Sequence, residues 1–492
     1  LILVLLLSLY LFCCLRDDKP RLSILCYSRS TNCSLSLLFI FLFAVQGIAQ
    51  YDIKGKIKGL SNSQVYLAHY FGYNQQVIKD TVRANESGEF HFKGSENLPK
   101  GLYLISFLKS KYIDIVVEDP RFSFTLDTLN ILNSISFQNS PDNSAFYSFQ
   151  RKMNDLYGAL NQPSLSPDRK KSLLSEVQQF QKQWKATHKD LFVSKLIESS
   201  FDPEIPVYAG SLKSKTDSTK MQLFQYHYYK KHYFDGVDLS DERMVRTPFL
   251  QRKLERFFKD LVVQEADSIS KEADLILAKA KDTEVRRYII YKIASTYENN
   301  PILGTDGAFV HLAEKYYIGE PALWDTSTVR RMKERVAIIK PLLLGKPFPK
   351  MYLTDVAGKE INMAALPFKY TVVFIYDPDC SHCKQETPKL AALSSFFAAK
   401  NVGVVASSIV RDKQAWKKFI NEFKISSWVN GIDVHLNAAT GKEEYYTDFR
   451  NTFDVYSTPV VYVLDQQKKI VGKRIPVENL KDFIQYLENK RK

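Results

Sequence analysis

The sequence predicts a multidomain protein with an N-terminal antiparallel all-β domain, a central all-α domain and a C-terminal α/β domain. Three patterns indicate this order: short alternating strands over residues 50–140, apolar residues at helical spacing over 141–340, and continuous apolar runs over 341–492. With 492 residues, the chain is also longer than one hydrophobic core normally supports. We therefore expect three structural domains, preceded by a leader at residues 1–49.

The leader has the features of a signal peptide. Its second apolar run, Leu35–Val45, has the length of a signal-peptide core, and Arg21 and Arg29 precede it as a basic region. Gly47-Ile48-Ala49 then offers small residues where a signal peptidase would cut. We therefore expect the protein to be exported. A leader that is kept as a membrane anchor stays open as an alternative, although its apolar runs are short for a bilayer span.

The basic charge of the chain does not indicate a nucleic-acid partner. The formal net charge is +14 at pH 7, but the Lys and Arg residues are spread along the whole chain. A nucleic-acid site normally has a concentrated basic stripe together with aromatic side chains for base stacking. We therefore expect no nucleic-acid partner, and we interpret the charge as a basic surface with weak attraction to an anionic envelope.

Residues 50–140 show the pattern of short β-strands. Apolar and polar residues alternate in successive short segments, and turn sequences such as Asn85-Glu86-Ser87-Gly88 and Pro99-Lys100-Gly101 separate them. This rhythm is typical of an antiparallel sandwich or barrel. The predicted strands centre on Ile53–Ile57, Val65–Leu67, Val77–Ile78, Phe90–Phe92, Leu102–Ile105, Ile113–Val117 and Phe122–Phe124.

Residues 141–340 predict a helical domain. Apolar residues recur at every third or fourth position, as in Leu250, Leu254 and Phe257, and prolines separate the segments that show this spacing. The aromatic segment Tyr226–Tyr233 allows two interpretations. It is either a partner-binding face or an aromatic core whose polar tips reach water, and we favour the second.

Residues 341–492 carry the cysteine pair on which the functional prediction rests. Cys380-Ser381-His382-Cys383 follows the apolar run Thr371–Tyr376 and precedes a helical pattern. The chain has six cysteines, and the other four lie in the leader. After export, these two cysteines therefore have only each other to pair with. Two thiols separated by two residues at a strand-to-helix junction are typical of a redox-active dithiol.

The order of motifs in this region resembles the exported thiol–disulfide oxidoreductases of the TlpA/ResA branch, which have a thioredoxin fold of the AhpC/TSA type. Gly345–Pro349 leads into a hairpin whose turn is Asp355–Lys359, and a strand then delivers the cysteines. Pro388 follows in the helix, and Thr458-Pro459 precedes the strand Val460–Leu464. The resemblance implies a thioredoxin fold and an enzyme that exchanges disulfides with envelope proteins.

The regions ahead of the cysteine pair resemble uncharacterised β and helical modules of Gram-negative envelope proteins. That resemblance implies a location in the periplasm or cell envelope of a Gram-negative bacterium. It also implies client proteins with thiols or disulfides, and a membrane or envelope partner for electron transfer. The oligomeric state is not predicted.

The two cysteines have different expected roles. A helix that starts at Cys380 directs unpaired N–H groups towards the sulfur and lowers the pKa of the thiol, so Cys380 is the expected attacking sulfur. Cys383, one turn further, is the expected buried resolving sulfur. His382 either adds a positive neighbour that favours the thiolate or is a solvated side chain. Asp377 and Asp379 disfavour the thiolate if they lie near it. The net effect stays open, and with it the direction, reductase or oxidase.

Three further residues take expected roles from the resemblance. Glu386 lies three residues after Cys383, on the same side of the helix, where a glutamate of similar enzymes acts in acid–base exchange. The alternative for Glu386 is an exposed helix residue without a role. Pro459 is the expected cis-proline opposite the cysteines, and the backbone of Thr458 is expected to pair with a substrate strand.

Other functions fit this CxxC motif less well. A peroxide-reducing enzyme of this fold needs a threonine three residues before its cysteine, where this chain has Asp377. A zinc site needs two further ligands, and the sequence offers only scattered histidines such as His435. We therefore expect no metal, and no cofactor besides the Cys380–Cys383 disulfide. A redox-inactive or peroxide-linked interaction module, whose N-terminal domains bind a partner, stays as the alternative.

Overall fold

The computed structural model describes residues 50–72, 75–108, 111–210 and 212–490. The leader at residues 1–49, with its signal-peptide and anchor interpretations, lies outside the described residues. Within the described ranges, no helix is long and apolar enough to cross a bilayer. The elements follow the order β, α and α/β, so the predicted fold class is confirmed.

All seven predicted strands of the N-terminal region form, and a short eighth strand follows a one-turn helix. Along the first strand Ile53 and Ile57 are fully buried, while the lysines between them are exposed, as the alternation requires. The elements are β1 (Tyr51–Lys58), β2 (Gln64–Phe71), β3 (Gln75–Arg83), β4 (Glu89–Gly94), β5 (Gly101–Leu108), β6 (Lys111–Val117), β7 (Arg121–Asp127), α1 (Ile131–Ser134) and β8 (Ser136–Gln138).

These strands form two four-stranded sheets, in the orders β4-β1-β7-β8 and β3-β2-β5-β6. Neighbouring strands are antiparallel with one exception, since β1 and β7 run parallel, with Ile53 opposite Phe122. The chain between these two strands builds the whole second sheet, and β4 of the first sheet, before it returns. A parallel pair requires such a long connection, which the local alternation of residues does not reveal.

The central region is helical, as predicted, and several of its helices start at a capping residue or a proline. The Asp282 carboxylate, for example, caps one helix, and Pro141 and Pro167 begin two others. The helices are α2 (Pro141–Leu160), α3 (Pro167–Thr187), α4 (Phe192–Ser200), α5 (Lys215–His232), α6 (Pro248–Arg256, continued by a π-helical turn at Phe257–Leu261), α7 (Ala266–Lys279), α8 (Thr283–Glu298), α9 (Asp306–Leu312, continued by a π-helical turn at Ala313–Ile318) and α10 (Thr326–Ile339).

One hydrophobic core joins the β and helical regions. It extends from Tyr51 to Ile339 and includes residues of both sheets and of most of the helices. At the junction the Asn143 side chain accepts the Val116 N–H and donates to the Val116 carbonyl oxygen, both at 2.7 Å. The β and helical regions therefore pack directly against each other where the secondary structure changes near residue 140. The division into domains at residues 140 and 340 stays a prediction.

The aromatic segment Tyr226–Tyr233 is partly core and partly surface. Tyr233 is 1% exposed and packs against Phe257, with ring centroids 5.5 Å apart. Tyr226 is 38% exposed, and its hydroxyl donates to the Leu261 carbonyl oxygen at 2.8 Å. The helix α5 itself buries no residue. Tyr233 and the partly buried Tyr229 therefore match the core interpretation, and Tyr226 lies at the surface.

The C-terminal region is a five-stranded sheet in the order β11-β10-β9-β14-β15, with helices packed on it. Every residue of its central strand is buried, and alternate side chains enter two different apolar clusters. The elements are β9 (Tyr370–Tyr376), α11 (Ser381–Ala391), α12 (Ser394–Ala399), β10 (Val402–Ser408), α13 (Lys413–Glu422), β11 (Val429–Ile432), β12 (His435–Leu436), β13 (Glu443–Glu444), α14 (Phe449–Phe453), β14 (Val460–Leu464), β15 (Ile470–Lys473) and α15 (Leu480–Lys490).

Charged side chains around Asp454, which we call the Asp454 network, join the helical and C-terminal regions. Arg335 of α10 contacts one carboxylate oxygen of Asp454 at 2.6 Å, and Arg474 forms a short ion pair with the other. Arg335 also contacts Glu298 at 2.8 Å, and Arg474 donates to the Asn299 side chain at 2.9 Å. Asp454 and Arg474 both have a φ of 53°, a left-handed conformation that residues other than glycine rarely adopt.

Replacing Asp454 is expected to weaken the junction between the two regions. Its side chain is only 8% exposed, so Asp454→Ala leaves two guanidinium groups without their shared carboxylate and lowers the free energy of unfolding by about 3 kcal/mol. Asp454→Asn should cost less, because asparagine tolerates the left-handed conformation and keeps one acceptor oxygen. Urea unfolding, followed by tryptophan fluorescence, measures both losses.

The matched control for this experiment is Glu334→Ala. Glu334 pairs with Arg330 on the exposed face of α10, at 3.9 Å, and its side chain is 66% exposed. Such a surface pair contributes less than about 1 kcal/mol. Equal losses for Asp454→Ala and Glu334→Ala would show that the Asp454 network does not hold the junction together.

Candidate functional site

The two cysteines lie where the central strand of the C-terminal sheet meets a helix. β9 ends at Tyr376, and the carbonyl oxygen of Asp377 then accepts the N–H of Cys380 at 3.1 Å. Cys380 immediately precedes α11, and its own carbonyl oxygen accepts the first helical hydrogen bond, from the N–H of Lys384 at 3.1 Å. The buried strand therefore fixes the Cys380 sulfur at the N-terminal end of a helix.

Cys380 is half-buried, and its thiol donates to the carbonyl oxygen of Thr458, with the two atoms 3.4 Å apart. Burial disfavours its thiolate, but side-chain hydrogen bonding with Thr458, hydrogen bonding with the backbone and thiol of Cys383, and the backbone N–H of His382 outweigh that effect. The pKa of Cys380 is therefore lowered from that of an ordinary thiol. A lowered pKa at an accessible sulfur is what an attacking thiol requires.

Cys383 lies one turn inside the same helix and is fully buried. Burial, together with the neighbouring Cys380 sulfur, raises the pKa of Cys383 to about 11. Both cysteines are free thiols in this structure. The two sulfurs of one motif therefore differ in exposure and in pKa, and their attacking and resolving roles stay predictions.

Thr458 and Pro459 face the cysteines, and the peptide bond between them is cis. They lie directly before β14, which pairs antiparallel with β9, so that Val460 stands opposite Ile375. This pairing places the start of one strand beside the end of the other. Of the predicted site residues, Thr458 thus reaches Cys380 directly.

The charged residues that were expected to tune the cysteines are spread around the motif. Asp377 is partly buried and its carboxylate accepts the N–H of Asp379 at 2.8 Å, which stabilises the turn before Cys380. The side chains of Asp379 and His382 are exposed. The contribution of His382 to the lowered pKa of Cys380 comes from its backbone N–H. Tuning roles for the three side chains stay predictions.

Glu386 lies on the helix one turn after Cys383 and lines a groove of about 830 Å³ beside Pro459. Its side chain is 21% exposed, and its carboxylate contacts the ammonium group of Lys389 at 2.6 Å. The acid–base role expected of Glu386 stays a prediction. Among the residues that the structure describes, no group of three or more His, Cys, Asp or Glu side chains is arranged to hold a metal ion.

Three features of the site were missed from the sequence. The Thr387 hydroxyl donates to the carbonyl oxygen of Cys383 at 2.7 Å, a contact between residues four apart that helical spacing could have indicated. Tyr376 lies behind the pair and stacks on Phe419 at 4.6 Å, and its place on the inner face of β9 follows from alternation. The third is the groove, whose far wall comes from Glu298, Asn299 and Arg335 of the helical region, for which the sequence gives no local signal.

The different pKa values of the two sulfurs can be measured by alkylation. The rate at which iodoacetamide modifies Cys380 should rise with pH and then reach a plateau. The midpoint of this rise should lie below about 8.5, the pKa of an unperturbed thiol. Cys383, with a pKa of about 11, should stay unmodified at neutral pH. Peptide mass spectrometry after timed alkylation separates the two sites, and the urea-unfolded protein is the control. Equal rates at both cysteines would contradict the structure.

Three family models match the chain. Residues 343–487 match Redoxin, residues 51–146 match a domain of unknown function (DUF4369), and residues 178–340 match another (DUF5106). The thiol-disulfide oxidoreductase ResA of Bacillus cereus is 24% identical over 145 residues, which cover 30% of this chain and 77% of ResA.

Solved structures are also similar to this chain. One is a domain of a possible thiol-disulfide isomerase from Cytophaga hutchinsonii ATCC 33406, with 43% identity, a TM-score of 0.27, and coverage of 31% of this chain and 97% of that domain. Another is a thioredoxin-like protein from Bacteroides caccae ATCC 43185, with 18% identity, a TM-score of 0.45, and coverage of 58% of this chain and 98% of that protein.

The family predicted from the sequence is confirmed for the C-terminal region, since residues 343–487 match the Redoxin model and are similar to ResA. The prediction of a redox enzyme of the thiol–disulfide oxidoreductase kind is confirmed with it. Residues 343–487 of this chain are therefore a Redoxin domain of the thioredoxin-like kind.

Proposed function

We propose that this protein exchanges disulfides with client proteins through the Cys380–Cys383 dithiol, with Cys380 as the attacking and Cys383 as the resolving sulfur. The observation that carries the proposal is the contrast between the two thiols. Cys380 is half-buried with a lowered pKa, and Cys383 is buried with a pKa of about 11. Only the outer sulfur therefore combines a lowered pKa with access for a protein substrate.

In the reducing direction, the Cys380 thiolate attacks one sulfur of the client disulfide. A bond forms between Cys380 and that sulfur while the client's own S–S bond breaks, and the departing client sulfur leaves as a thiolate that takes up a proton. The Thr458 backbone lies next to the reacting sulfur, at 3.4 Å, and supports the proposal because it can pair with an extended client segment.

In the second step Cys383 loses its proton and attacks the sulfur of Cys380. The Cys380–Cys383 disulfide forms, the mixed disulfide breaks, and the second client sulfur leaves as a thiol. Two electrons and two protons thus pass from the dithiol to the client. Because the pKa of Cys383 is about 11, this step needs a group that accepts its proton, and Glu386 on the same side of the helix is our candidate.

The same steps in reverse would introduce a disulfide into a client, and the reduction potential of the pair decides between the directions. A potential near about −270 mV would indicate a reductase that a membrane or envelope partner supplies with electrons. A potential near about −120 mV would indicate an oxidant. Equilibration of the purified protein with glutathione or dithiothreitol measures it.

We propose that the protein works in the periplasm or cell envelope of a Gram-negative bacterium. The support for this location is the signal-peptide pattern of residues 1–49. In an exported protein the cysteine pair is free to cycle, since residues 50–492 contain no other cysteine. The clients would be envelope proteins with thiols or disulfides.

Replacing Cys380 or Cys383 should stop disulfide exchange, and each replacement should stop it at a different step. Cys383→Ser should form a mixed disulfide with a client or with insulin but fail to release it, because the resolving sulfur is missing. Cys380→Ser should form no mixed disulfide, since the remaining sulfur is fully buried. Non-reducing electrophoresis with mass spectrometry detects the adduct. Two results together would refute the proposed function: Cys383→Ser forms no adduct, and the wild-type protein does not reduce insulin.

The role of Glu386 can be tested with a substitution that keeps its shape. Glu386→Gln should slow the decay of the mixed disulfide at neutral pH by about 100-fold, the order of magnitude for loss of a general base, and leave its formation unaffected. Rapid quenching with acid resolves the two steps.

Lys389→Met is the matched control for Glu386. It removes the ion-pair partner of the carboxylate but keeps the carboxylate itself, so the mixed disulfide should decay at nearly the wild-type rate. Wild-type decay in Glu386→Gln would show that another group accepts the proton of Cys383.

A further inference from the structure

We propose that the groove between the helical region and the C-terminal domain binds an extended polypeptide segment of the client, next to the client's cysteine, with Tyr456 as its anchor. The inference rests on the proposed function, because it assigns a surface that recognises the client of Cys380. It also gives the helical region a direct part in the choice of client.

The groove lies beside the segment that contacts the Cys380 sulfur and continues onto the helical region. Its wall at one end is Pro459, whose neighbour Thr458 has its carbonyl oxygen 3.4 Å from the Cys380 sulfur. The groove of about 830 Å³ adjoins a second of about 930 Å³, and both are lined by Glu298, Arg335 and Tyr456. Pockets for small molecules have volumes of about 300–1,000 Å³, so the joined grooves have more room than a small thiol needs.

Tyr456 lines both grooves, and two guanidinium groups lie over its ring. The guanidinium of Arg450 lies 4.8 Å from the centre of its ring, and that of Arg335 lies 5.5 Å from it. The side chain is nevertheless 54% exposed. An aromatic ring that is fixed but open to solvent loses little conformational entropy on binding, and such rings dominate protein recognition.

Four charged side chains of the groove are already paired with one another, namely Glu298, Arg335, Asp454 and Arg474. Glu298 and Asp454 hold Arg335, and Asp454 and Asn299 hold Arg474. A strongly charged ligand would have to break these contacts. The lining on the C-terminal side includes the apolar residues Ile475, Pro476 and Val477, next to the carboxylates of Glu386 and Glu478. The groove therefore suits a weakly charged segment with apolar side chains, whose backbone can pair with that of Thr458.

The experiment compares two probes that carry the same leaving group. One is an extended peptide with apolar residues around a central cysteine, as its mixed disulfide with 2-nitro-5-thiobenzoate, and the other is free cysteine as the same mixed disulfide. In each case the reduced Cys380–Cys383 pair becomes a disulfide, the probe's S–S bond is reduced to two thiols, and the coloured thiolate is released. The ratio of the two rates measures recognition of the polypeptide.

Two variants of the full chain change the groove from opposite sides. Tyr456→Ala removes the anchor, and Asn299→Trp fills the groove from the exposed end of α8. Each is expected to lower the ratio of the peptide rate to the cysteine rate about tenfold. Tyr456→Phe keeps the ring and should restore the ratio, and Ser295→Trp, on an exposed position of α8 outside the groove, should not change it.

The outcomes separate this inference from the proposed function. If the wild type reacts equally fast with both probes, or if the two variants leave the ratio unchanged, the groove does not bind the client and only this inference fails. A wild-type protein that reacts with neither probe refutes the proposed function as well. Thermal unfolding of Asn299→Trp, compared with that of Ser295→Trp, shows whether a changed ratio comes from the groove or from loss of structure.

Discussion

The antiparallel pairing of β9 with β14 is the constraint on which the site depends. One strand ends just before Cys380 and the other begins just after Pro459, so the register that places Val460 opposite Ile375 also places Thr458 against the Cys380 sulfur. All seven residues of β9 are buried, and its two faces enter different apolar clusters. A slip of one residue would turn each side chain to the opposite face, so the core itself holds the reacting groups in register.

The different chemistry of the two sulfurs follows from where the helix starts. Cys380 immediately precedes α11, where backbone N–H groups lack helical partners and favour an anion. Cys383 is one turn inside, within the cluster that β9 and the helices form, so burial raises its pKa. The position at the helix start and the depth of burial thus give two residues of the same type different pKa values.

What the sequence could predict is local, and what it could not predict depends on contacts between distant segments. The strands of the N-terminal sheets, the amphipathic helices and the strand–CxxC–helix order follow from periodicity over a few residues. The parallel pairing of β1 with β7 does not, since the strands β2 to β6 lie between them in the chain. The tuning side chains were also ambiguous, because sequence spacing does not give the direction in which Asp379 or His382 points.

The Asp454 network is the clearest case of a contact that no local pattern reveals, and it changes how the helical region should be understood. Asp454 is only four residues before Thr458, so the arginine of α10 that holds its carboxylate also restrains the short segment that leads to Thr458. Movement of the helical region against the C-terminal sheet would therefore shift Thr458 relative to Cys380. Through Asp454 the helical region is thus connected to the segment whose carbonyl oxygen contacts the Cys380 sulfur.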